Sequence, residues 1–153
     1  MMMIRKATAQ DAAAIGEMVA EFQVYLRGLG DQTNFEFGAE KYLRDGFGDD
    51  PAFEGLVAET DAGADGYLLY HFGYDTDTGQ RLVHIVDLYV RETARQHGIG
   101  SALMQRVAEI GRGRGAEVMF WSVLEANMVA RRFYEGLGAR FVEGLRFMTL
   151  GIG

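Results

Sequence analysis

The stretch Arg95-Gln96-His97-Gly98-Ile99-Gly100-Ser101 carries the residue types from which an anion site is built. Glycines let a chain turn tightly and let successive backbone N–H groups face outward together. Ile99, Leu103, Val107 and Ile110 follow at helical spacing, so a helix begins near Gly98 and adds its positive end to any bound phosphate or pyrophosphate. Arg91 and Arg95 stand nearby in the chain. Two other phosphate turns do not fit. A dinucleotide fingerprint needs G-x-G-x-x-G after the first strand, whereas here the third glycine position is Leu103 and the turn lies far into the chain. The lysine of the triphosphate-binding loop is missing too. What remains is R-x-x-G-x-G leading into an apolar helix.

The rest of the chain must position that turn. Ile4 to Ala7 reads as a first strand, and Thr8-Ala9-Gln10-Asp11 has capping-box spacing. Ile15, Met18, Val19, Phe22, Leu26 and Leu29 then recur at helical spacing until Gly28 and Gly30 stop them. A shorter helix is predicted from Gly38 to Asp45, followed by a loop that holds the single proline, Pro51. Gly55–Glu59, Tyr67–Tyr74 and Leu82–Val90 read as strands, with Asp75–Gly79 as a hairpin loop. Val118–Leu124 is a near-continuous apolar run, which predicts a strand buried on both faces. Asn127–Leu137 reads as a helix turning Ala130, Phe133, Tyr134 and Leu137 inward, with Gly138 as its left-handed cap. Phe141-Val142 and Arg146–Leu150 are expected as closing strands. The order β-α-α-β-β-β-α-β-α-β predicts one α/β domain over residues 1–153, built on a mixed, mostly antiparallel sheet flanked by about four helices.

The glycine turn and the element order together resemble the GNAT superfamily of N-acetyltransferases and its acetyl-CoA-binding turn. The second half resembles it as well. Trp121 to Asn127, followed by Ala130-Arg131-Arg132-Phe133-Tyr134 and Gly138-Ala139, is similar to the family signature N-x-x-A-x-x-F-Y-x-x-x-G-A. A subgroup is also visible. Leu43-Arg44-Asp45-Gly46-Phe47-Gly48, Leu56 to Glu59, Gly66-Tyr67 through Tyr74-Asp75 and Asp87-Leu88-Tyr89-Val90 resemble the spermidine/spermine (diamine) and thialysine acetyltransferases. The likeness runs from Ile4 to about Leu150.

The resemblance implies a set of roles. The cofactor phosphates would take backbone N–H groups from Gln96, His97, Gly98, Ile99, Gly100 and Ser101, with Arg95 alongside. The pantetheine arm would pair with the strand holding Leu88 and Val90, where it splays from the strand after it, and Asn127 would help hold it. A backbone N–H near Leu88 would serve the oxyanion. Tyr134 matches the family's proton donor to the departing CoA thiolate, a role worth about 10²–10⁴ in rate.

The base that deprotonates the amine is left open. The diamine subgroup carries a glutamate where this chain has Val86. Asp87 follows it, and strand alternation places Asp87 on the opposite face from Val86 and His84 on the same face as Val86. An imidazole with a pKa of about 6.5 suits a base at neutral pH. Glu125 or a chain of waters could carry the proton instead.

Composition narrows the function. The chain has 153 residues, a net charge of −7, no Cys and three scattered His, which excludes disulfides, thiolate metal sites and Cys nucleophiles; no metal is expected. The negative charge disfavours nucleic acid, and the absence of an apolar run of about 20 residues disfavours the membrane. A cytoplasmic protein is expected. Asp31 to Asp65 carries a local −8, and Arg91 to Arg114 a local +3, one lobe suited to a cation and the other to an anion. The expected activity is acetyl-CoA-dependent acetylation of a small cationic primary amine, such as a polyamine, a diamine or a lysine-like amino acid. The alternatives are acetylation of a protein N-terminus or lysine, and a non-catalytic CoA-binding module. A homodimer is expected by analogy with relatives of this kind.

Overall fold

The computed structural model describes residues 1–153. Its elements are β1 (Met3–Lys6), α1 (Ala12–Gly28), α2 (Ala39–Gly46), β2 (Glu54–Thr60), β3 (Gly63–Asp75), β4 (Gln80–Val90), α3 (Ile99–Gly113), β5 (Ala116–Phe120) and α4 (Met128–Gly136). The five strands form one sheet in chain order; β1 to β4 are antiparallel, and β5 runs parallel to β4. No helix is long and apolar enough to cross a membrane.

The start of α1 follows the sequence. The Thr8 N–H donates to Asp11 at 2.7 Å, and the Arg5 guanidinium grips the same carboxylate at 2.7 and 2.8 Å. That guanidinium holds the Asp11 carboxyl below the usual carboxylate range. Alternation along the strands then makes two cores. On one face Leu56, Leu68, Tyr70, Val83 and Ile85 pack against Ile99, Leu103, Met104 and Val107 of α3. On the other Val57, Tyr67, Leu69 and Tyr89 pack against Ile15, Met18 and Val19 of α1 and Tyr42 of α2.

The structure departs from the sequence reading in four places. First, the strand expected over Val118–Leu124 is β5, which ends at Phe120; Trp121 to Leu124 leave the sheet. Nothing pairs with the outer edge of β5, so Glu117 and Val118 are exposed rather than buried. Second, the closing strands at Phe141-Val142 and Arg146–Leu150 do not form, and the chain after α4 has no regular structure. Phe147, Met148 and Leu150 are strongly exposed, though the Phe147 ring reaches Phe120 of β5 at 6.1 Å. Third, Leu137 lies beyond the end of α4 and is 46% exposed. Fourth, a bulge in β4 breaks strict alternation. Leu69 pairs with Asp87 and Tyr70 with Ile85, so Val86 is the extra residue. His71 pairs with His84, and Leu69 and His71 share a face, so Asp87 and His84 lie on the same face of the sheet.

Candidate active site

The β4–β5 pairing ends at His84 and Phe120. Beyond that point the two strands part, and a cleft of about 790 Å³ opens between Ile85–Val90 of β4 and Trp121–Leu124. Its remaining walls are Phe22, Tyr25 and Leu26 of α1, the start of α3, and α4 with Tyr134.

At one end lies the glycine turn. Gln96 and Gly98 both adopt left-handed backbone, at φ 65° and 79°; Gln96 is the one non-glycine residue with positive φ. This pair of inversions aims consecutive N–H groups the same way. From Gln96 through Ser101, no backbone N–H has a partner within the chain; the first bonded one is Ala102, which donates to Gly98 O at 3.0 Å. The first turn of a helix always leaves such donors, and here the left-handed turn extends the row. Gly100 serves a different purpose, since a Cβ there would meet the Phe133 ring at 3.0 Å. Its absence lets α4 close on α3.

Arg95 is the cation of the turn. Its Nε donates to Val90 O at 3.0 Å, and its guanidinium lies over the rings of Tyr25 and Tyr89 at 5.2 and 5.5 Å. Arg91, Arg106 and Arg114 of the basic segment are engaged elsewhere. Arg91 pairs with Glu21, reaches Glu17 at 3.3 Å and donates to Ala64 O at 3.0 Å, so it does not flank the turn as its position in the sequence suggested. Arg114 grips Glu54 at 2.7 and 2.8 Å. The local positive charge read from sequence is thus largely paired.

Asp87 and Tyr134 line the same cleft. Burial raises the Asp87 carboxyl to about 6, although the Tyr67 hydroxyl donates to it at 2.6 Å and pulls the other way. Burial, reinforced by the Asp87 charge, raises the Tyr134 phenol to about 12. The Tyr134 ring rests against Trp121 at 4.9 Å and Phe133 at 5.3 Å. Leu88 and Val90 line the same cleft, as does Asn127, whose Oδ1 caps α4 by accepting from the Ala130 N–H at 3.2 Å.

Three other residues singled out in the sequence fall outside. His84 contacts His71 at 2.9 Å and the Phe120 ring at 5.7 Å, away from the cleft, and burial lowers its pKa. Glu125 is exposed and does not line the cleft. The His97 ring is exposed against Ala94 O at 3.3 Å. Sequence reading missed Tyr67, which holds Asp87, and Tyr25, which lies under Arg95. Both sit in apolar stripes where a hydroxyl leaves no periodic signal.

A free N–H row, one available arginine and a cleft at a parted strand pair form a donor set suited to a pyrophosphate with a long amide-bearing arm. The model of the acetyltransferase (GNAT) family matches residues 19–139. The chain belongs to that family. It is a GNAT-type N-acetyltransferase, and the family uses acetyl-CoA as co-substrate. Among its relatives, the thialysine N-ε-acetyltransferase of Sus scrofa is 37% identical over 147 residues, covering 90% of this chain and 84% of that one. The human spermidine/spermine N(1)-acetyltransferase-like protein 1 is 30% identical, over 89% of this chain but only 20% of that longer protein. A ribosomal-protein-alanine N-acetyltransferase from Brucella melitensis biovar Abortus 2308 has the same fold, with a TM-score of 0.77 at 20% identity over 99% of this chain and 100% of that one.

Proposed function

We propose that this GNAT acetyltransferase moves the acetyl group of acetyl-CoA directly to a small cationic primary amine of the polyamine, diamine or lysine-like class. The observation that carries the reading is the pairing of Asp87 and Tyr134 in one cleft that ends at the free N–H row. The names of the thialysine and spermidine/spermine relatives support the substrate class.

In this reading the N–H groups of Gln96 to Ser101 and the Arg95 guanidinium hold the phosphates. Leu88 and Val90 pair with the amides of the arm along the strand edge that faces the cleft, and Asn127 adds its side-chain amide. The ammonium group of the acceptor docks against Asp87, which at neutral pH is ionised yet able to take a proton. Val86, apolar where the diamine enzymes have glutamate, leaves Asp87 to do this alone. The amine nitrogen then attacks the thioester carbonyl, the Leu88 N–H faces the oxyanion, and the C–S bond breaks as the sulfur takes the Tyr134 proton. A phenol raised to about 12 stays protonated until that moment. Solvent in the open cleft takes the proton from Asp87 and the second proton from the acylated nitrogen, and returns one to Tyr134, so that one proton is released per turnover.

The proposal includes a homodimer. Its support is the unpaired outer edge of β5 together with the exposed Phe141, Val142, Leu145, Phe147, Met148 and Leu150 that follow α4. An open edge and an unplaced apolar segment are features that a second copy can satisfy at once.

The test of the catalytic reading is thiol release from acetyl-CoA against spermidine, putrescine, lysine, thialysine and a short peptide. The chain has no Cys, so a thiol reagent sees only CoA. Turnover of a small amine, cut about 10²-fold or more by Tyr134→Phe, is expected. Turnover of the peptide alone would move the substrate to protein, and CoA binding without any turnover would leave a binding module.

A further inference from the structure

The segment that carries Tyr134 is held by the packing of Trp121, Phe133 and Tyr134 on the α3 side of the sheet and by few hydrogen bonds to the rest of the chain. No residue of α4 is fully buried, and after Phe120 the chain makes no further strand pairing. The hydrogen bonds within Trp121–Gly153 are local: Asn127 caps Ala130, Arg131 reaches Glu125 O, and the backbone closes its own turns. One hydrogen bond joins this segment to the rest of the chain. The Tyr25 hydroxyl, on α1, donates to Asn127 Oδ1 at 2.9 Å. The same tyrosine ring carries the Arg95 guanidinium at 5.2 Å, and Tyr25, Arg95 and Asn127 all line the cleft.

We infer that Tyr25 is a positioning residue for acetyl transfer, a clasp across the cleft that sets α4, and with it Tyr134, against the cofactor turn. The geometry explains how. Only the oxygen of the Asn127 side chain can accept from the Ala130 N–H, so the amide is fixed with Oδ1 toward the helix. The Tyr25 hydroxyl occupies the remaining lone pair of that oxygen and leaves the Asn127 NH₂ as the unused donor. A single residue on α1 thereby touches both one group proposed to hold the arm and the cation proposed to hold the phosphates. It touches neither reacting atom. The helix so tethered places the Tyr134 hydroxyl, which lies about two turns along from Asn127. A phenol displaced by a fraction of an ångström is a poorer acid at a thiolate fixed by its own turn.

This inference rests on the reading of Tyr134 and Asn127 given above, so the experiment separates the two. Tyr25→Phe keeps the ring over Arg95 and removes only the hydroxyl. CoA affinity is measured by calorimetry, kcat by thiol release, and amide exchange by mass spectrometry, in the full chain with and without Tyr134→Phe. Loss of one neutral hydrogen bond predicts a roughly three- to tenfold weaker CoA affinity and a similar fall in kcat. It also predicts faster exchange at Ala130 and through α4, with α3 unchanged. In the Tyr134→Phe background the fall in kcat should vanish, because the hydroxyl being positioned is gone. An equal fall in both backgrounds, or no change in α4 exchange, would overturn the inference while leaving the catalytic reading intact. Failure of the unaltered protein to bind CoA would instead remove the reading beneath it.

Discussion

Replacing Asp87 by Asn separates the two consequences of burying that carboxyl. Asn keeps an oxygen to accept from the Tyr67 hydroxyl, now at 2.6 Å, so the site retains its shape. What disappears is the proton acceptor. A positioned general base contributes about 10²–10⁴ in rate, so kcat is expected to fall by that factor. The wild-type kcat profile should rise with pH and level off above about 6, the value to which burial moves this carboxyl, and the variant should lack that acid limb. Stability moves the other way. The folded protein holds the Asp87 proton more tightly than the unfolded chain does, with a pKa of about 6 against 3.8. Wild-type stability therefore drops as pH rises between those values, by an upper bound of about 3 kcal/mol. Denaturant melts of the two proteins should coincide below pH 4 and diverge above pH 6, the variant being the more stable. A variant that retains the acid limb and a rate within threefold of wild type would refute Asp87 as the base. Parallel stability curves at all pH values would refute the burial argument itself.

Three further outcomes follow from other parts of the structure. Gly100→Ala puts a methyl 3.0 Å from the Phe133 ring and is expected to cost about 1–3 kcal/mol, with weaker CoA binding, as read by denaturant melts and calorimetry. His84→Gln should leave kcat within about twofold, since His84 contacts His71 and Phe120 outside the cleft. On the proposed homodimer, Phe147→Asp with Leu150→Asp, placing charge on two strongly exposed apolar positions, should shift the mass in light scattering from dimer to monomer; an unaltered protein that is already a monomer, or a dimer unchanged by both, would refute that interface.

Much of this architecture is legible from residue spacing because it rests on local rules. The capping box at Thr8 and Asp11, the stripes of α1 and α3, the helix start at Gly98 and the left-handed Gly138 all appear where the pattern puts them. The failures are non-local. An apolar run such as Val118–Leu124 reads the same whether or not a neighbour covers it, and here β5 is an edge. A bulge leaves no mark in the sequence, yet the one at Val86 turns Asp87 onto the face of His84. Arg91 and Arg95 are indistinguishable as letters; Glu21, seventy residues away, takes one and leaves the other for the cleft. Among the site residues, those set by the turn were readable, whereas Tyr25 and Tyr67 depend on which helix and strand the cleft opens against.

The parting of β4 and β5 reaches beyond catalysis. A strand edge that faces a cleft exchanges its hydrogen bonds with water, and the co-substrate arm, on the proposed reading, supplies them in water's place. Folding and ligand occupancy are then linked: a ligand at a hundred times its Kd adds about 2.7 kcal/mol to the stability of the native state. That is a substantial share of what holds a domain of this size together. On that reading the survival of the enzyme in a cell would rise and fall with the supply of the acetyl donor, and its abundance, and not only its turnover, would follow that supply.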